Sequence, residues 1–140
     1  MKLVSVAEMK QIESWAVAHG YSNEMMMLKA GNELAKVIHK RYFHAESGNT
    51  VVGLVGSGNN GGDTLVALSA LCTLGWNASA VLFKPRPEED ALVSSLENNG
   101  GQVLDWETRG TERQIKSVID SSAVVLDGVM GTGVRLPLTG

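Results

Sequence analysis

A single cysteine, Cys72, occurs in the 140 residues. No internal disulfide can form, and its place in an apolar helical pattern marks it as a buried core thiol. Charge of one sign is also scarce, with a net −3 and a pI of about 5.6. That balance lacks the basic footprint of a nucleic-acid binder. No apolar run is long enough to span a bilayer, and the N-terminus carries no secretory-signal pattern. The expected location is therefore cytoplasmic, with neither a membrane nor a nucleic acid as partner. The three histidines lie outside the glycine-rich loops and receive no catalytic role.

Glycine is plentiful, 16 in all, and it is concentrated. The run Gly56-Ser57-Gly58-Asn59-Asn60-Gly61-Gly62-Asp63 follows the apolar stretch Val51–Val55 and precedes Leu65–Leu68. That context reads as buried strand, glycine loop, helix start. Such a turn brings backbone N–H groups to an anion at the positive end of a helix. A second glycine-rich segment runs Asp127-Gly128-Val129-Met130-Gly131-Thr132-Gly133.

Hydrophobic periodicity places these segments. Ser5-Val6-Ala7-Glu8 forms a capping box for a first helix that Gly20 stops. A second helix begins after Ser22 or Asn23, with Met27, Ala30, Gly31, Leu34 and Ile38 on one apolar face. Strands follow at 50–56, 78–83, 102–105 and 123–128, and helices at about 62–74, 87–98 and 111–120. Pro87 with Glu88, Glu89 and Asp90 suits the first turn of the middle one. Strands separated by single helices imply right-handed crossovers and a mainly parallel sheet, with the two initial helices over part of one face. The doubly wound order, third, second, first, fourth, brings both glycine loops to one crevice.

Gly56-x-Gly58-x-x-Gly61 formally matches a dinucleotide fingerprint. The second strand ends Val81-Leu82-Phe83-Lys84 without the ribose-binding acid, which disfavours an ordinary NAD dehydrogenase. Lys84 and Arg86 either meet a phosphate or sit in an exposed loop. Asn59, Asn60 and Asp63 have a structural reading, since Asn accepts left-handed backbone angles and Asp caps helices. Their crowding favours a second reading, as hard oxygen ligands for an alkali or alkaline-earth cation. Asp127, read as ending a buried strand, would complete that site. The alternative is that Asp127 only accepts from loop amides. Gly131-Thr132-Gly133 with Arg135 suits close approach to a diphosphate.

With the Asn-Asn-Gly-Gly-Asp string, Asp127, Gly131-Thr132-Gly133 and Pro137, the chain closely resembles the NAD(P)H-hydrate epimerase family, also called the YjeF N-terminal domain family. Ala7-Glu8-Met9, Met27 and Ala30-Gly31 fit the same pattern. The resemblance implies a three-layer α/β/α Rossmann-like sandwich, here the N-terminal part (1–140) of one domain and so incomplete at the C-terminus. It implies epimerisation of the R and S forms of hydrated NADH and NADPH, and a fused or separate ADP- or ATP-dependent dehydratase as partner. A homo-oligomer is also expected. Asn59, Asn60, Gly61, Gly62 and Asp63 would line the substrate site. Gly131, Thr132, Gly133, Val134, Arg135, Leu136 and Pro137 would contact the diphosphate and ribose. Asn60 and Asp127 would bind potassium.

Thr64 replaces a family glycine, and Leu28 replaces a family glutamate. The principal acid/base is expected beyond Gly140. Asp63 is the best proton shuttle within the chain, with binding as its main expected role. The competing classes are a non-catalytic binding or dimerisation module and another Rossmann-like nucleotide enzyme.

Overall fold

The computed structural model describes residues 3–131. The expected substrate contacts Thr132, Gly133, Val134, Arg135, Leu136 and Pro137 lie outside the described residues. Two helices come first, α1 (Val6–Ala18) and α2 (Asn23–Tyr42). The α1 capping box is formed: Ser5 Oγ accepts from Glu8 N at 3.2 Å, and Glu8 accepts from Ser5 N at 2.7 Å. Gly20, at φ +90°, follows the C-cap. Yet α1 buries none of its residues. Its apolar side chains Val6, Ile12 and Trp15 are exposed, so only α2 covers the sheet as expected. On α2 the buried stripe is Gly31, Ala35 and Ile38, whereas Ala30 and Leu34 are exposed. Gly31 sets the closeness of this packing. A Cβ there would stand 2.5 Å from Val66 and 2.8 Å from the Asp63 carbonyl.

The alternating part follows as β1 (Thr50–Val55), α3 (Asn59–Thr73), β2 (Asn77–Leu82), α4 (Ala91–Asn98), β3 (Gln102–Asp105), α5 (Glu112–Ser121) and β4 (Val124–Gly128). The strands make one parallel sheet in the order β3-β2-β1-β4. The expected order is confirmed, and with it the α/β class. Val55, the last residue of β1, sits opposite Leu82 on one side and Gly128 on the other.

One face of the sheet is packed by α2, α3 and α4 through Ala35, Leu65, Leu68, Leu71 and Leu96 against Val51, Val55 and Ala78. Fully burying each such leucine contributes about 1.5–3 kcal/mol. The other face carries α5, whose Ile115 packs on Val52, Val81 and Leu104. Cys72 is partly buried against the larger cluster rather than enclosed in it.

Two helix starts differ from the sequence reading. Helix α3 begins at Asn59 rather than 62, with Gly58 as N-cap, so the Asn-Asn-Gly-Gly string is its first turn. Glycine's low helix propensity argues for a loop there, but tertiary contacts override it. A Cβ on Gly61 would stand 2.2 Å from the Gly56 carbonyl, and one on Gly62 2.5 Å from Met27 Sδ. Helix α4 begins at Ala91, not at Pro87, because Asp90 is the N-cap and accepts from Leu92 N at 2.9 Å.

Candidate functional site

The ends of β1 and β4 meet where the strand order reverses. Gly56 N donates to Gly128 O at 3.1 Å, and a Cβ on Gly56 would lie 2.3 Å from Val129 O. The loops after these strands therefore touch at their roots. Beyond that contact opens a cleft of about 870 Å³. Ser57 to Gly61 and Asp63 line one side, and Gly128 to Gly131 the other.

The first turn of α3 faces this cleft with no side-chain cap. Leading N–H groups of a helix lack intrahelical partners and carry the positive end of the dipole. They form an anion-receptive wall. Asn60 ties that wall to the β4 side. Its Nδ2 donates to Met130 O at 2.7 Å, with Asp127 O at 3.5 Å. That use of the amide nitrogen leaves Oδ1 as the acceptor.

Thr64 occupies the space behind the turn. It is buried, and its hydroxyl donates to Asn60 O at 2.9 Å. Cβ atoms on Gly53 and Gly128 would stand 2.6 and 2.2 Å from its side chain. The threonine points away from the cleft into room left by two strand glycines, so it does not narrow the approach.

Asp63 lies in the second turn of α3 and is half-buried, too far along the helix to act as its cap. Burial pushes its carboxyl above the ordinary aspartate range, and the neighbouring Glu13 carboxylate adds to the rise. Glu13 and Lys10, one helical turn apart on α1, line the cleft from a third side. The sequence reading missed both. They look like ordinary charges on a solvated helix face, and only the placement of α1 brings them to the cleft.

The structure places the other predicted residues unequally. Asn59, Asn60, Gly61, Asp63 and Gly131 share the cleft. Gly62 is buried with its missing side chain toward Met27. Asp127 is exposed, not buried as its apolar neighbours suggested. Val124 and Leu126 pack on the α3 side, while Val125 and Asp127 alternate to a face that α5 leaves uncovered. Asp127 Oδ1 accepts from Val129 N at 3.1 Å, the loop-amide contact weighed as its alternative role. No described residue except glycine has positive φ, so left-handed geometry does not explain Asn59 or Asn60. Lys84 is exposed, but Arg86 is held against Asp90 and the Gly56 carbonyl.

A parallel sheet with an uncapped helix N-terminus and a glycine turn at its reversal point defines a Rossmann-like α/β protein. The chain belongs to the family described as YjeF-related protein N-terminus, whose model matches residues 23–140. It is 37% identical over 130 residues to an NAD(P)H-hydrate epimerase of Yarrowia lipolytica, covering 90% of this chain and 49% of that protein. An NAD(P)H-hydrate epimerase of Bordetella pertussis is 29% identical over 140 residues, covering 100% of this chain and 56% of its own. The crystal structure of yeast ynu0 superposes with a TM-score of 0.84 at 23% identity, covering 99% of this chain and 60% of that one. The chain thus spans about half the length of the curated relatives it matches.

Proposed function

We propose that the protein interconverts the R and S epimers of hydrated NADH and NADPH, as a repair isomerase for nicotinamide nucleotides. One observation carries this reading: the uncapped first turn of α3 and the half-buried Asp63 open onto the same cleft as the β4 glycine turn. The turn suits a diphosphate, and Asp63 suits a neutral, proton-handling centre beside it. The relatives named NAD(P)H-hydrate epimerase support the choice of substrate.

Epimerisation at a hydroxylated ring carbon changes no oxidation state. It needs reversible loss of the hydroxyl or opening of the ring, followed by return to the other face. Either route moves a proton. Asp63 is the cleft carboxyl whose burial favours its holding one at higher pH than an exposed aspartate. The principal acid/base expected beyond Gly140 lies outside the described residues.

Asn60 Oδ1 and the backbone carbonyls of the β4 turn are hard oxygen donors in the cleft, of the kind a monovalent cation takes. The Asp127 carboxylate does not line the cleft and accepts from Val129 N, so it would have to turn from that amide to join them. Among the described residues no group of three His, Cys, Asp or Glu side chains could hold a metal. We assign potassium to these oxygens, where it would offset the Asp127 charge and brace the two loops. A fused or separate ADP- or ATP-dependent dehydratase is the partner activity this reading implies.

The test is to incubate each separated epimer with the full-length protein and potassium, and to follow interconversion by chromatography. Interconversion well above the buffer rate is expected, lost in Asn60→Ala and made potassium-insensitive in Asp127→Asn. A rate equal to buffer overturns the reading. Hydrate binding without interconversion would instead identify a binding module.

A further inference from the structure

Behind the cleft, the segment between β2 and α4 carries a buried ion pair that the nucleotide reading does not use. Arg86 Nε donates to Asp90 Oδ2 at 2.5 Å, and the two side chains are only 10% and 8% exposed. Two charges are not removed from water on an irregular segment without cost, so partners must compensate them. Asp90 spends its second oxygen on the α4 cap. Arg86 spends Nη1 on Gly56 O, at 2.9 Å.

Gly56 is thereby held at both polar groups, its N–H by Gly128 and its C=O by Arg86. Neither Gly56 nor Arg86 lines the cleft, yet Ser57 and Gly58, the next residues, do. The Gly56 carbonyl also sits under Gly61, where no side chain fits. A carbonyl free to turn toward the cleft would set a negative dipole end against an anion. Directed at a guanidinium, it is neutralised, and the backbone that follows is fixed.

We propose that Arg86, braced by Asp90, is a positioning residue. It holds the Gly56 carbonyl away from the cleft, so that the backbone from Ser57 into the first turn of α3 is pre-set for the phosphates of a nucleotide. The phosphate part of this rests on the function proposed above; the ordering of the loop does not.

Two readouts on the full-length protein separate these parts. Hydrogen exchange over residues 56–62 reports loop order without reference to activity. Arg86→Gln is expected to speed exchange there, and to raise KM for the hydrate on the order of ten-fold with kcat little changed, as lost uniform binding does. Arg86→Lys recovers only part of the loss, because an ammonium cannot span Asp90 and the carbonyl as the fork does. Asp90→Asn adds little to KM in the Arg86→Gln background, since it acts through the same group. Unchanged exchange over 56–62 in Arg86→Gln overturns the proposal, and so does a fall in kcat at constant KM. If Arg86→Gln does not fold, Arg86→Lys against wild type decides by the same two readouts. A wild type that fails to interconvert epimers removes the function reading, while exchange still decides the clamp.

Discussion

Asp63 carries a cost that the fold tolerates. Its carboxyl is raised by burial first and by Glu13 second. A raised acid binds its proton more tightly folded than unfolded, so ionising it opposes folding. The penalty is absent below the unfolded value of about 3.9, grows as pH rises through it, and is complete above the raised folded value. Asp63→Asn should therefore melt higher than wild type at neutral pH, with the gain vanishing near pH 3 to 4. Melting temperatures across pH check the sign; an equal gain at all pH values would point to packing instead. The same variant should interconvert epimers about a hundred-fold more slowly if the carboxyl moves the proton. Two neighbouring glycines give a sharper steric contrast. Gly61→Ala places a methyl against the Gly56 backbone and should cost about 1–3 kcal/mol in denaturant unfolding. Gly58→Ala meets nothing within 4 Å and should cost no more than about 0.5 kcal/mol.

At the scale of elements, α1 and α3 are opposites. Helix α3 is buried on most sides, while α1 depends on its capping box and local hydrogen bonds. A helix of 13 residues that buries none of them gains little from packing and is marginal in water. Amides of α1 should exchange by local opening, and those of α3 only with global unfolding. Ser5→Ala should speed α1 exchange about five-fold with an unchanged melting temperature. A lowered melting temperature would show that α1 is coupled to the core. The same contrast explains what was legible beforehand. Strands β1 to β4 were readable within about a residue, because short runs with apolar residues, each set off by glycine on at least one side and too short for a helix, have few alternatives. The order and the meeting of the two loops followed from connection rules. The start of α3 was not readable, because paired glycines argue against a helix, and only the close approach of Gly56 and Met27 shows why no side chain fits at Gly61 and Gly62. Nor was the start of α4, where Asp90 serves both a cap and an ion pair. Lys10 and Glu13 reach the cleft through tertiary placement alone, and Asp127 was misjudged because Val124-Val125-Leu126 reads as a strand covered on both faces.

For the molecule as a whole, β4 is the element least provided for. Among the described residues no strand pairs with its outer edge, and Val125 is 48% exposed on the face that α5 leaves open. An unpaired edge beside exposed apolar surface is a template for pairing with another chain. Asp127, two residues on, is a single charge of the kind that discourages such pairing, but it stands at the end of the strand rather than along it. The 140-residue chain is therefore expected to self-associate, its mass by light scattering rising with concentration. Exposed apolar residues of α1, such as Ile12 and Trp15, offer a rival surface, and one substitution separates the two. Val125→Lys puts a charge beside the edge without touching α1 and should return the chain to a monomer. Persistence of the larger species in Val125→Lys would move the contact to α1, and a monomeric mass at every concentration for the unmodified chain would show that the β4 edge is closed to pairing.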